Sequence, residues 1–95
     1  MSNGTKVKKR DGRIEPLDLE KMHLMVEEAC TGIAGVSASQ VEMKSGIQFY
    51  DGITTAEIQE ILIKSASDLI DLDHPNYQFV AARLLLFALR KQLYG

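Results

Sequence analysis

Apolar residues recur every three or four positions through most of this chain. They alternate with polar ones only near the N-terminus. On either side of Asp11-Gly12, residues 5 to 9 and 13 to 17 read as a β-hairpin, because Gly12 can adopt positive φ. Two registers fit. A two-residue loop pairs Lys9 with Ile14. A three-residue loop, Arg10-Asp11-Gly12, pairs Lys9 with Arg13 and Val7 with Glu15. In the second register Val7, Lys9, Glu15 and Leu17 share one face, since strand side chains alternate with period two. Asp18 then reads as an N-cap region, and a first helix runs to about Cys30 on a stripe of Leu19, Met22, Val26 and Ala29. Gly32 and Gly35 punctuate a loop. Ser37 and Gln40 have capping-box spacing ahead of a second helix over about residues 39 to 48, with Met43 and Ile47 on one face. The stretch "FYDGIT" has room for a short strand. Thr54 and Glu57 form another capping box, opening a third helix to about Ile70 with a face of Ile58, Ile61, Leu62, Leu69 and Ile70. Asp73-His74-Pro75 starts a fourth helix over about residues 76 to 93. It is apolar nearly all round from Phe79 to Leu89, as suits a central helix or one that packs against something outside the domain. The expected class is α+β, mainly α: a small N-terminal β element with four helices.

Composition narrows the function classes. At 95 residues and a net charge of −2 this is one domain, and it is not basic overall. Yet five of its eleven Lys and Arg residues fall within the first thirteen positions. Such asymmetry marks a basic arm for nucleic acid or an acidic membrane, or else a small site for a multiply charged anion. Cys30 is the only cysteine, which excludes an internal disulfide, a multi-thiolate zinc cluster and a Cys-pair redox motif. A reduced, cytoplasmic setting fits. No apolar run follows the N-terminal lysines, so no signal peptide is expected. The longest apolar run, "FVAARLLLFAL", contains Arg83 and falls well short of the roughly 20 residues that span a bilayer.

The candidate chemistry is anion binding. Lys8, Lys9 and Arg10 are either a solvated hairpin tip or an anion clamp, Lys acting as a point charge and Arg as a fork for phosphate. Lys91 in isolation reads as a cation complementing a helix C-terminus. Thr54 and Thr55 either cap a helix or mark a positive helix end that faces an anion. His23, His74 and Cys30 have no metal-ligand spacing. There is no set of nucleophile, base and orienting group, and no Walker-type glycine loop. The residues describe a binding module rather than a catalyst.

The stretch "VKKRDGRIEPLDLEKM", residues 7 to 22, resembles the opening of an ATP-cone domain: a Val, then Lys-Arg-Asp-Gly, then Glu, Leu-Asp, and Lys before an apolar residue. "SQVEMKSGIQFYDGITTAEIQEILIKSASDLI" and "PNYQFVAARLLLFALRK" are similar to the cone at the N-terminus of the large (alpha) subunit of class I ribonucleoside-diphosphate reductases. The resemblance covers essentially the whole chain. It implies a small three-stranded β lid over a four-helix bundle, acting as the overall-activity allosteric site. There ATP keeps the reductase active, and dATP switches it off by driving subunits into an inhibited oligomer. It implies ATP or dATP with Mg2+ as effector, and no catalytic residue within the cone. The chain would then be an N-terminal fragment of a longer polypeptide. Its partners would be the rest of the large subunit, with the small subunit or another large subunit in the inhibited oligomer, and neither membrane nor nucleic acid.

Carried over by position, the resemblance assigns Lys9 and Arg10 to the phosphates, with Lys91 reaching in from the fourth helix. The segment from Glu15 to Lys21 would wrap adenine, with Glu15, Asp18 and Lys21 as polar contacts. Val7, Leu17, Met22 and Ile58 would be the apolar walls, and Thr55 would lie near sugar or phosphate. The three-residue hairpin register is preferred because it puts Val7, Lys9, Glu15 and Leu17 together. Gln59 departs from the pattern: related reductases often carry a histidine there. Two other readings compete: a nucleic-acid-binding module using the basic hairpin, and a degenerate cone acting only as an oligomerisation contact.

Overall fold

A computed structural model of the chain describes residues 5–9 and 11–94, and of residues 91–94 the backbone alone. Among the described residues three short strands and four helices follow in the order β1 (Lys6–Lys8), β2 (Ile14–Pro16), α1 (Leu19–Cys30), α2 (Ala38–Gly46), β3 (Ile53–Thr54), α3 (Thr55–Asp68) and α4 (Tyr77–Tyr94). The expected α+β class and small sheet are what forms. The strand in "FYDGIT" is β3. It lies parallel to β1, so the sheet order is β2-β1-β3 with β1 central.

The hairpin takes the three-residue register, with Val7 opposite Glu15 and Lys8 opposite Ile14. Gly12 sits at φ +91°, where a side chain would be strained, and its N–H donates to the Lys9 carbonyl at 2.9 Å. The Lys9 N–H closes the loop on the Arg13 carbonyl at 2.7 Å. A further bond, Leu17 N–H to the Thr5 carbonyl at 3.1 Å, carries β2 directly into α1.

Local signals set the helix starts. Asp18 caps α1, its carboxylate accepting from the Lys21 N–H at 3.0 Å. At α3 the full capping box forms: Thr54 Oγ1 accepts from the Glu57 N–H, and the Glu57 carboxylate accepts from the Thr54 N–H. At Ser37 only the forward bond, from the Gln40 N–H, is present among the described residues.

The core joins both layers. Val26, Val41, Ile53, Leu62 and Val80 are wholly buried, with Val7 of the sheet and Met22, Ile58, Tyr77 and Leu84 beside them. α4 packs mainly on α3 and also on α1, burying Val80, Ala81, Leu84 and Ala88. Its other face, with Phe79, Leu86 and Leu89, stays exposed, so α4 is amphipathic by burial although apolar by sequence.

Three sequence expectations need correction. Leu19 belongs to no buried stripe: it is the first residue of α1 and 53% exposed, because the chain is still leaving the sheet there. On α2 the predicted face of Met43 and Ile47 points away from the core, at 67% and 85% exposure, while Val41 and Ser45 face inward. Ser45 can do so because its hydroxyl donates to the Val41 carbonyl at 2.7 Å, leaving no polar group unsatisfied. Finally, α3 ends at Asp68, so Ile70 lies beyond the helix and is exposed.

His23 ties α1 to α2. Its Nδ1 lies 2.8 Å from Glu42 of α2 and its Nε2 lies 3.2 Å from Glu27 of α1. Both nitrogens can donate to carboxylates only in the imidazolium form. The hydrogen bond and charge of Glu42 hold the His23 pKa above its usual value, with Glu27 adding to the effect. A raised folded-state pKa means that stabilisation is complete below the unfolded pKa and lost as pH rises through the folded one. The Tm advantage of the natural chain over a His23→Gln variant is therefore expected to be largest near about pH 5.5 and to shrink by about pH 8, on either side of the usual histidine range. A pH-independent difference would show that the imidazole acts by packing alone.

Candidate functional site

The site-facing side of the hairpin follows from its register. Val7, Lys9, Glu15 and Leu17 are buried or half-buried, whereas Lys6, Lys8, Ile14 and Pro16 are exposed. One face of this ribbon therefore meets the bundle. Both α1 and α3 start directly from this small sheet, α1 after β2 at the Lys6 end of β1 and α3 after β3 at its Lys8 end. The parallel pairing of Lys8 with Thr54 sets the start of α3 alongside the end of β1, next to Lys9. The positive end of α3 and a lysine beside one small sheet make an environment suited to an anion.

Of the sequence-predicted residues, Lys9 and Glu15 form an ion pair and four apolar ones meet in the core. Val7, Met22 and Ile58 belong to one apolar cluster, and Leu17 packs against it. At 4%, 8% and 7% exposure the first three are a floor rather than open walls, and half-buried Leu17 remains at the margin. Thr55 and Gln59 stand one turn apart on α3, both half-buried. Asp18 spends one carboxylate oxygen on its own helix cap, leaving the other available. Lys21 is exposed in the first turn of α1. Arg10 and the Lys91 side chain, two of the three assigned phosphate ligands, lie outside the described residues.

Four charged residues of the hairpin, Lys9, Asp11, Arg13 and Glu15, are already paired with one another. Lys9 Nζ lies 3.8 Å from Glu15 Oε1, and Arg13 Nη1 lies 3.3 Å from Glu15 Oε2. Arg13 Nε is in turn 2.8 Å from Asp11 Oδ2. Sequence reasoning left Arg13 out, although its own register, with Lys9 opposite Arg13, already placed that side chain on the Lys9–Glu15 face. Alternation alone would have found it.

Three further residues brace the site. The Asp51 carboxylate accepts from the Lys6 N–H at 3.0 Å, and the Gly52 N–H donates to the Lys6 carbonyl at 2.9 Å, pinning the β3 approach to β1. The Tyr50 hydroxyl donates to Glu57 at 2.6 Å. That bond, with those from Thr54, holds the Glu57 carboxyl below the usual range. The start of α3 is thus fixed both to the preceding loop and through its cap.

Other features carry no chemistry of this kind. Cys30 is half-buried, and burial followed by the charge of Glu42 pushes its thiol pKa up, away from a reactive thiolate. Among the described residues no group of three His, Cys, Asp or Glu side chains is arranged to hold a metal ion, and no helix is long and apolar enough to cross a membrane. A shallow, open cavity of about 400 Å³ lies at the far end of the bundle, where Val36 and Ser37 meet Leu69, His74 and Tyr77. Its polar groups are engaged locally: the Ser37 N–H donates to the Tyr77 hydroxyl at 3.0 Å, and Asp71 accepts from the His74 N–H at 2.6 Å.

Comparison with known proteins agrees with this geometry. The chain is 52% identical over its full length to the ribonucleoside-diphosphate reductase 1 subunit alpha of Salmonella typhimurium, and equally to that of Escherichia coli. It is 49% identical over 94% of its length to the ribonucleoside-diphosphate reductase subunit alpha of Helicobacter pylori. The chain spans only 11–12% of the length of these relatives. A family model described as the ATP cone domain matches residues 5–92, taking in the sheet, α1 to α3 and all but the last two residues of α4. This chain therefore belongs to the ATP cone family of regulatory nucleotide-binding domains.

Proposed function

We propose that this cone is the overall-activity site of a ribonucleoside-diphosphate reductase, binding ATP or dATP with Mg2+ and carrying out no chemistry of its own. In this reading the chain is the N-terminal part of a cytoplasmic large subunit. ATP bound here leaves the parent enzyme active, and dATP favours an inhibited assembly with the small subunit or with another large subunit. The observation that carries the reading is the composition of one face. Lys9 and Glu15 share it above an apolar floor, beside the N-terminus of α3, within the span that matches the cone family.

The roles follow from the chemistry. Lys9, with Arg10 and Lys91, binds the phosphates. The base lies over Val7, Met22 and Ile58 with Leu17 at its edge, and Glu15 accepts from the adenine amino group while Lys21 and the free oxygen of Asp18 address the ring and its surroundings. Thr55 and Gln59 face the sugar. Mg2+ would accompany the nucleotide and offset part of its phosphate charge, which needs no all-protein cage.

Isothermal titration of the chain with ATP, dATP and GTP, each with Mg2+, tests this. Adenine nucleotides are expected to bind at least tenfold more tightly than GTP, a difference of about 1.4 kcal/mol, and no phosphate is released on prolonged incubation. Equal affinity for GTP would sink the adenine assignment.

A further inference from the structure

We propose that Arg13 is a positioning residue of this nucleotide site, holding the Glu15 carboxylate where it meets the adenine amino group. The proposal rests on the adenine reading above and goes beyond it by adding a residue that touches neither base nor phosphate.

The geometry is a relay of charges along one side of the hairpin. Asp11 grips Arg13 twice: Oδ1 accepts from its backbone N–H at 3.1 Å, and Oδ2 lies 2.8 Å from its Nε. The guanidinium is therefore held at its stem, and its far end extends to Glu15 Oε2 at 3.3 Å. The other Glu15 oxygen faces Lys9 at 3.8 Å, the longest and weakest link in the relay. Lys9 can turn toward a phosphate without releasing Glu15, because Arg13 keeps its hold. Without Arg13, Glu15 would have Lys9 as its one cationic partner among the described residues. The same lysine would then be drawn both to that carboxylate and to phosphate, and Glu15 would lose its fixed rotamer. A planar fork with separate donors is what allows one side chain to hold Asp11 and Glu15 together; a lysine cannot do this equally well.

Base choice reports on Glu15. Adenine presents an amino donor to a carboxylate, whereas guanine presents a carbonyl oxygen at the same place, which a carboxylate repels. A merely electrostatic role for Arg13, as one more cation near the phosphates, would weaken ATP and GTP alike. A positioning role lowers the ATP/GTP affinity ratio.

The experiment is a double-mutant cycle on the 95-residue chain, comparing the natural sequence, Arg13→Gln, Glu15→Gln and the double variant by titration with ATP and GTP. Arg13 is 68% exposed, so solvent screens its pairs. The expected fall in the ATP/GTP ratio for Arg13→Gln is accordingly about two- to fivefold, or about 0.4–1 kcal/mol at 1.4 kcal/mol per tenfold. In the Glu15→Gln background the Arg13 substitution is expected to leave the ratio unchanged, and Arg13→Lys to fall between Gln and the natural residue. The proposal is overturned if Arg13→Gln weakens both nucleotides equally, or if it lowers the ratio as much without Glu15 as with it. If the natural chain shows no preference for ATP over GTP, the adenine reading falls first and takes this proposal with it.

Discussion

Lys9→Ala is expected to weaken ATP binding by about tenfold or more while leaving adenosine binding unchanged. A hydrogen bond to a charged group contributes roughly 1.5–3 kcal/mol, equivalent to about 10- to 150-fold in Kd. Two features favour the lower end. Lys9 is 40% exposed, so water competes for its ammonium group, and it stands 3.8 Å from Glu15, an attraction that phosphate must replace. Adenosine lacks the phosphates and so reports only on the base and sugar contacts. Titration with ATP, ADP and adenosine separates the two. A parallel loss for adenosine would mean that Lys9 shapes the hairpin rather than gripping phosphate. Raising the salt concentration is expected to narrow the gap between the natural chain and the variant, because the lost interaction is between partly exposed charges.

Leu62→Ala has the largest expected effect on stability. Leu62 is wholly buried in α3, within the cluster that includes Val26, Val41, Ile53 and Val80. Truncating a buried leucine costs roughly 2–5 kcal/mol, the transfer term plus the cavity left behind. A small domain has only about 5–15 kcal/mol in total. At roughly 4–8 °C per kcal/mol for a domain of this size, Tm is expected to fall by about 10 °C or more. Leu72→Ala and Ile47→Ala are the controls. Their side chains are 100% and 85% exposed, and both substitutions are expected to stay within about 0.5 kcal/mol of the natural chain. A small effect at Leu62, or a large one at Ile47, would contradict the orientation of α2 and α3 described here. Ile47 is the sharper test, since periodicity alone had put it on an inward face.

Much of this molecule was legible before its coordinates. The starts of α1 and α3 were readable because capping is local: Asp18 needs only the Lys21 N–H, and Thr54 only Glu57. The hairpin was readable for the same reason, since Gly12 supplies the positive φ that its turn requires. The candidate face of Val7, Lys9, Glu15 and Leu17 followed from alternation once a register was preferred, and the resemblance to a known family named the residues around it.

The tertiary structure decided what has no local signature. Two registers fitted the hairpin, and the one that forms sends Val7 into the core and brings Arg13 onto the face of Lys9 and Glu15. β3 is two residues long, too short for any periodicity, and its parallel pairing with β1 joins segments 46 positions apart, Val7 with Ile53 and Lys8 with Thr54. On α2, Met43 and Ile47 looked apolar enough to face inward, but the smaller Val41 and Ser45 do so. Ser45 can be buried because its hydroxyl bonds the Val41 carbonyl of its own helix, so its burial strands no polar group. Burial on a helix with so weak an apolar stripe is set by its neighbours, and those neighbours exist only once the chain has folded.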